Sequence, residues 1–231
     1  MTIQWENIQS SAGNMRAYTA QPKTKGNTPL ILVLQHRGGV DEHMQDVVHR
    51  LYRSGYSCIA PELFHRQEAN IDFSERVGLL KDDEIISDCR AAIDYSKQNF
   101  GNVSSIGVVG FCSGGRSAYL AATEIDCIDA ATVFYGGNLK KPMGGDLSPF
   151  EKTKNINCPV LGFFGMDDKN PSPQDVANLS EELNKFSKWH EFHSYRDVGH
   201  AFHNFKSEYY RDNAAQSSWA RMISFFDDIL K

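Results

Sequence analysis

Short apolar runs alternate with longer amphipathic segments along most of the chain. The runs are almost continuously apolar, as in strands that are covered on both faces of a sheet, and they occupy residues 30–34, 57–60, 106–109, 130–134 and 159–164. The segments between them have apolar positions near helical spacing and polar or proline residues at their starts, and they cover residues 41–54, 82–100, 114–123 and 173–187. This alternation predicts β-α-β units around a parallel sheet.

Both ends of the chain add elements to this sheet. Residues 3–9 and 15–20 alternate apolar and polar positions on either side of a Ser-Ala-Gly-Asn turn, which predicts an antiparallel hairpin at a sheet edge. Residues 190–195 predict another strand, and residues 212–230 predict a closing helix, which places Trp219, Ile223, Phe226 and Leu230 on one face. With no internal repeat or linker, we expect residues 1–231 to form a single α/β domain.

Composition narrows the classes of partner and compartment. The net charge of −5 argues against a nucleic-acid partner, because binding phosphates requires clustered cations. The chain starts without a basic and apolar leader, and its longest aliphatic run is far shorter than the roughly 20 residues of a membrane span, so we expect no membrane association. Five widely spaced cysteines without a CxxC pair favour free thiols in a reducing cytoplasm over disulfides or a zinc site.

The segment GFCSGG, residues 110–115, follows a predicted strand and precedes a predicted helix. A nucleophile turn between a strand and a helix is sharp. The residues two positions before and two positions after the nucleophile must therefore be small. Gly110 and Gly114 meet this condition around Cys112, whereas a turn centred on Ser113 would place Phe111 at a flank. The sequence therefore predicts Cys112 as the nucleophile, with the helix start favouring its thiolate. A buried structural cysteine in a tight turn is the alternative.

The two remaining members of a catalytic triad are predicted later in the chain, in the order nucleophile, acid, base. Asp168, preferred over Asp167, lies in a loop after the predicted strand 159–164, where a carboxylate could orient an imidazole. His200, preferred over His203, follows a glycine that lets its loop fold back toward the turn. The alternatives are a helix cap for the aspartate and a surface residue for the histidine.

The segments GFCSGG, GMDD at residues 165–168 and GHAF at residues 199–202 resemble, in order and spacing, the dienelactone hydrolase family of α/β-hydrolases. The resemblance covers nearly the whole chain. It implies an α/β-hydrolase fold with a mostly parallel central sheet of about eight strands and helices on both faces. It also implies a triad of Cys112, Asp168 and His200, and an oxyanion hole formed by the backbone amide of Ser113 and, by alignment, that of Arg37.

The chain departs from the family pattern at two positions. Where the family has a glutamate that helps to set the ionisation of the thiol, this chain has His36, which makes this imidazole a candidate modulator. The family also has an arginine four residues after the base, which holds a substrate carboxylate, and that position is Asn204 here. Arg76, in a predicted loop, and Arg37 are alternative anion clamps, although an exposed arginine is more often only a solvated charge.

These residues together predict a cysteine-dependent hydrolase that cleaves a lactone or activated ester of a small molecule through an acyl-thioester, without a cofactor. The alternative is a catalytically weak or retired hydrolase fold that binds a small molecule or partner. Metal-dependent hydrolysis is disfavoured, because the i, i+3 histidine pairs do not match the i, i+4 pair of zinc-protease helices; these pairs are His190 with His193 and His200 with His203.

Overall fold

The computed structural model describes residues 2–21 and 27–231, and within these ranges eight strands form one sheet in the order β1-β2-β4-β3-β5-β6-β7-β8. The strands are β1 (Thr2–Ser10), β2 (Gly13–Gln21), β3 (Asn27–Leu34), β4 (Ser57–Pro61), β5 (Asn102–Phe111), β6 (Ala130–Phe134), β7 (Val160–Gly165) and β8 (His190–Tyr195). The helices are α1 (Glu42–Arg53), α2 (Phe73–Arg76), α3 (Asp82–Asn99), α4 (Ser113–Glu124), α5 (Pro173–Lys185) and α6 (Asp212–Leu230), with 3₁₀ turns at Val77–Leu79 and Thr153–Asn155.

The sheet is mostly parallel, as predicted. Strands β1 and β2 form the antiparallel hairpin, and β2 pairs antiparallel with β4. The six strands β3 to β8 run parallel to one another. An eight-stranded, mostly parallel sheet covered by helices confirms the α/β-hydrolase fold class. None of the described helices is long and apolar enough to cross a membrane.

Helices cover both faces of the sheet, which is why the central strands are apolar at consecutive positions. Along β3, Leu30, Leu32 and Leu34 face an apolar cluster with α3, α4 and α5, whereas Ile31 and Val33 face a second cluster with α1 and α6. Side chains alternate between the two faces of a strand, so a strand with two buried faces has no polar position in its central part.

Three local elements differ from the sequence predictions, and one of them is β3, which begins at Asn27 rather than at Leu30. Residues 73–76, predicted as a loop, form the helical turn α2. Strand β5 begins at Asn102 rather than at Ile106, because Asn102 and Val103 pair with the start of β3. The polar residues in this extension lie at the end of the sheet, where one side of the strand is open to solvent.

The carboxyl ends of the parallel strands place the predicted site residues on one edge of the sheet. Strand β5 ends one residue before Cys112, β3 ends two residues before His36, and β7 and β8 end before the loops that carry Asp168 and His200. In open α/β sheets, ligands bind outside this edge. The topology therefore brings segments that are distant in sequence to one place.

Candidate active site

Cys112 occupies a strained turn between β5 and α4. Its backbone has φ 57° and ψ −118°, a conformation that side-chain-bearing residues rarely adopt. A Cβ on Gly110 would lie 1.8 Å from the carbonyl oxygen of Gly114, and a Cβ on Gly114 would lie 2.1 Å from that of Leu34. Only glycine fits at these two positions, so the turn has the register in which Cys112 is at the tip.

An acid and an imidazole are paired beside this turn. The Oδ2 atom of Asp168 lies 2.7 Å from Nδ1 of His200, and its Oδ1 atom accepts a hydrogen bond of 2.9 Å from the amide of Asn170. Asp168 is buried, whereas Asp167 is exposed. The carboxylate orients the ring by accepting from Nδ1, which leaves Nε2 available to the Cys112 side chain, whose interaction with the ring raises the pKa of His200.

The ionisation of the sulfur and the imidazole is coupled. Burial alone would raise the pKa of the Cys112 thiol, but the hydrogen bond and the charge of His200, with the backbone amides of Ser113 and Arg37, lower it. Burial also opposes protonation of His200, but its hydrogen bonds to Asp168 and Cys112 raise its pKa to about 10. Cys158, buried without such a partner, has a pKa raised to about 12. The geometry therefore favours a thiolate and imidazolium pair at Cys112.

The backbone amides of Ser113 and Arg37 both lower the pKa of the Cys112 thiol, and Arg37 lines the same two cavities as Cys112. Ser113 is the first residue of α4, where amide groups have no partner within the helix. Arg37 lies in the tight turn after β3, and its side chain is exposed. Backbone N–H groups from two different segments therefore stabilise negative charge at Cys112.

The imidazole of His36 is held by its own loop rather than by the thiol. Its Nε2 atom lies 3.0 Å from Oδ2 of Asp41, a contact closer to an ion pair than to a linear hydrogen bond. Its Nδ1 atom accepts a long hydrogen bond of 3.4 Å from the amide of Gly38. The ring of His43 lies at its edge, with 5.8 Å between centroids.

The two remaining candidate residues lie in different places. The guanidinium of Arg76 donates to the carbonyl oxygens of Ile71 (3.1 Å) and Ala69 (3.0 Å) and lies over the ring of Phe73. It is thus engaged within its own segment and is not among the described residues that line the cavities at Cys112. Asn204 does line one of them, and Arg37 lines both.

Two cavities meet at Cys112, Arg37 and His200. The first cavity, of about 500 Å³, has a wall of aliphatic and thioether side chains, with lysines also among its lining residues. Its apolar residues are Val77, Leu80, Ile85 and Met143, and its lysines are Lys141 and Lys169. The second cavity, of about 620 Å³, is aromatic and polar, with Phe73, Tyr135, Asn204, Ser207 and Tyr209 in its lining. Both volumes suit small molecules.

A buried ion pair, which the sequence did not predict, holds part of the wall of the first cavity in place. Both terminal guanidinium nitrogens of Arg116, Nη1 and Nη2, donate to the carboxylate of Asp82, at 2.6 and 3.0 Å, and Nη2 also donates to the carbonyl oxygen of Lys141 (2.7 Å). Asp82 accepts in addition from the amide of Met143 (3.1 Å). The pair therefore fixes the loop that carries Lys141 and Met143. An arginine inside the apolar, Gly- and Ala-rich segment of α4 was the available signal.

Two buried histidines behind the turn were also missed as a pair. The rings of His43 and His203 lie 5.5 Å apart, and each packs against Phe111. Burial lowers the pKa of His43 to about 4 and holds the pKa of His203 well below its ordinary value. Both rings are therefore neutral at neutral pH.

The histidines considered for a metal site have other contacts. Nε2 of His190 lies 2.7 Å from the hydroxyl of Ser180, and Nε2 of His193 lies 2.6 Å from a carboxylate oxygen of Glu191. Within residues 2–21 and 27–231, no group of three or more His, Cys, Asp or Glu side chains has an arrangement that could hold a metal ion.

Comparison with known proteins places this site in a family context. The model of the dienelactone hydrolase family matches residues 15–230. A protein of Escherichia coli K12, provisionally named carboxymethylenebutenolidase, is 32% identical over 228 residues, which cover 95% of this chain and 84% of that protein. A Bradyrhizobium protein, provisionally named 2-oxo-3-(5-oxofuran-2-ylidene)propanoate lactonase, is 28% identical over 97% of this chain and 94% of its own. The crystal structure of a provisionally assigned dienelactone hydrolase from Klebsiella pneumoniae superposes with a TM-score of 0.91 at 30% identity, covering 98% of both chains.

Proposed function

Because the chain belongs to the dienelactone hydrolase family, we propose that it is a cysteine-dependent hydrolase that cleaves a lactone or activated ester through an acyl-thioester. The observation that carries this proposal is the position of Cys112. It lies on a strained turn, and an imidazole that is held by a buried carboxylate lowers the pKa of its thiol. A cysteine that served only the core would need none of these partners.

In the first half of the proposed reaction, the Cys112 thiolate attacks the carbonyl carbon of the ester. The new C–S bond pushes the carbonyl electron pair onto oxygen, and the amides of Ser113 and Arg37 stabilise the oxyanion. When the tetrahedral intermediate collapses, the C–O bond breaks and the His200 imidazolium gives its proton to the leaving oxygen. An acyl-thioester and a neutral imidazole result.

In the second half, His200 acts as a general base. It takes a proton from a water molecule, whose oxygen attacks the thioester carbonyl, and the oxyanion again occupies the two amides. Collapse of this intermediate releases the acid and regenerates the thiolate and imidazolium pair. The carboxylate of Asp168 keeps the ring oriented and stabilises its positive charge throughout, without itself being protonated.

The proposed substrates are small esters and lactones with a good leaving group. A thiolate is a good nucleophile for such carbonyls but gains little against amides. The two cavities have volumes that fit small molecules, and the name of the Bradyrhizobium relative supports the lactone class. Arg37, which lines both cavities and has no ion pair within the described ranges, is the proposed partner of a substrate carboxylate. The free state of all five cysteines is compatible with the proposed cytoplasmic location.

The test compares Cys112→Ala with Cys127→Ala, a matched control because Cys127 is an exposed cysteine away from the turn. We expect Cys112→Ala to lose turnover of p-nitrophenyl acetate and of a lactone by at least about 10³-fold, and Cys127→Ala to keep both. Mass spectrometry after brief exposure to the acetate should find the acetyl group on Cys112.

Equal turnover before and after removal of Cys112 would refute the proposal. Alkylation by iodoacetamide over a range of pH tests the alternative of a binding protein. A Cys112 that titrates near 8.5, like a free thiol, would favour that alternative.

A further inference from the structure

The turn that follows β3 carries one of the two amides at the sulfur. We call residues 36–39 the oxyanion turn. It is closed by a hydrogen bond of 3.0 Å from the amide of Gly39 to the carbonyl oxygen of His36, and Gly39 has φ +78°. The Arg37 amide lies inside this turn, but the Arg37 side chain is exposed and does not anchor it. Something else must hold the peptide in the orientation that aims this N–H at Cys112.

The imidazole of His36 folds over its own turn. Its Nδ1 atom accepts from the amide of Gly38 at 3.4 Å. A Cβ on Gly38 would lie only 2.7 Å from Cε1 of the ring, so the ring packs directly on the glycine backbone. The side chain of His36 thus contacts the backbone of Gly38, and these are the two residues that flank Arg37.

Asp41 connects the ring to a rigid element. Its Oδ2 atom lies 3.0 Å from Nε2 of His36, and its Oδ1 atom accepts from the amide of Met44 at 3.2 Å as the N-cap of α1. Burial opposes the charge on this carboxylate, but the contact with His36 lowers its pKa. Helix α1 is anchored in the core through Met44 and Val47. A continuous set of contacts therefore links α1, through Asp41 and His36, to the Arg37 amide.

We propose that His36 and Asp41 are positioning residues that hold the oxyanion turn in its productive conformation. This inference rests on the proposed function, because it assigns the Arg37 amide to the oxyanion. Since Nδ1 of His36 accepts a hydrogen bond from Gly38, the ring proton of the neutral form is on Nε2, the atom that lies 3.0 Å from Oδ2 of Asp41. Two neighbouring glycines give the turn wide backbone freedom, so without this link the peptide of Arg37 can rotate away from the sulfur.

The variant Asp41→Asn separates this role from the cap of α1. Asparagine caps helices as well as aspartate does, so its Oδ1 atom can keep the bond to Met44. Its amide group then replaces Oδ2 and presents N–H to the N–H of His36. We expect kcat for p-nitrophenyl acetate to fall about tenfold or more with KM changed by less than about twofold, because complete loss of one oxyanion donor costs about 10²- to 10³-fold.

Alkylation of Cys112 by iodoacetamide distinguishes a lost oxyanion contact from a general structural defect. A general defect would slow both alkylation and hydrolysis, whereas a lost oxyanion contact slows hydrolysis alone. This displacement develops no oxyanion, so its rate in Asp41→Asn should stay within about threefold of wild type. A weaker hydrogen bond to the thiolate raises both its pKa and its nucleophilicity, and the two effects partly cancel. The matched control is Ser172→Ala, which removes the capping box of α5 and none of the contacts of the oxyanion turn. It should lower the denaturation midpoint without changing kcat.

A second variant, Gly38→Ala, displaces the His36 ring directly and should reproduce the loss of kcat. The inference is overturned if Asp41→Asn keeps kcat within twofold of wild type, or if hydrolysis and alkylation fall together. Failure of the proposed function looks different, because hydrolysis would then survive in Cys112→Ala or be absent from the wild-type protein.

Discussion

Replacing Gly114 by alanine should silence the enzyme while leaving most of the protein folded. The added Cβ would lie 2.1 Å from the carbonyl oxygen of Leu34 and 2.6 Å from that of Gln35. An ordinary contact begins at 3.4 Å, so the start of α4 and the end of β3 must separate by about 1.3 Å. These are backbone atoms, which cannot rotate aside as a side chain can.

This displacement acts on the two parts of the site that must stay together. The Ser113 amide moves with α4, and the Arg37 amide moves with the segment that leaves β3. A misplacement of about 1 Å can cost about 10²-fold in rate, and loss of one oxyanion donor costs about 10²- to 10³-fold. We therefore expect kcat to fall by about 10²- to 10³-fold. Overpacking of this kind lowers the free energy of unfolding by about 1–3 kcal/mol.

The assay measures kcat for p-nitrophenyl acetate and the urea midpoint of the same preparation. The control is Gly145→Ala, because an added Cβ at Gly145 meets no atom within 4 Å. This control should match wild type in both measurements. A Gly114→Ala protein that keeps kcat within fivefold of wild type would refute the reasoning, because the turn could then relax without separating the two amides.

Two further predictions concern stability. Arg116→Met should lower the free energy of unfolding by about 3–5 kcal/mol, because it leaves Asp82 buried without its partner. The control is Lys185→Met, which breaks an exposed ion pair and should lower the free energy of unfolding by less than about 1 kcal/mol. The argument would be contradicted if the double variant Asp82→Asn, Arg116→Met were as unstable as Arg116→Met alone. The second prediction is acid sensitivity. The pKa of His43 is about 4 in the folded protein and about 6.5 when unfolded, so between these values only the unfolded chain takes up the proton. On acidification His43 by itself lowers stability by up to about 1.4 kcal/mol per pH unit, and His203, whose pKa is also lowered, adds a slope of the same sign. His43→Phe should flatten this slope in urea titrations at pH 7 and pH 5, and an unchanged slope would show that His43 is not its source.

The sequence predicted the architecture because burial on two faces leaves a direct trace in the order of residues. A strand covered by helices on both sides has almost no polar position, so the five strands β3 to β7 could be located from their apolar composition. The turn at Cys112 could also be located, because only glycine fits at Gly110 and Gly114. Burial of a strand and the need for glycine in a turn both act on neighbouring residues, so short sequence patterns are enough to predict them.

The sequence could not predict contacts that depend on distant segments meeting. The pairing of Arg116 with Asp82 joins the starts of two helices that are 34 residues apart. The contact of His36 with Asp41 depends on where α1 begins relative to the turn. Residue type indicated that these side chains carry charge or chemistry, but not which atoms they contact.

The order of apolar runs and the glycines around Cys112 were therefore sufficient to predict the kind of fold and the position of the strained turn at Cys112. Only the tertiary structure decided that His200 and Asp168 lie beside that turn, and that the amide of Arg37 faces the same sulfur. The reason is physical. A strand or turn is specified by the preferences and burial of neighbouring residues, whereas the ionisation of a thiol is specified by groups that reach it through space, from four loops at one edge of the sheet.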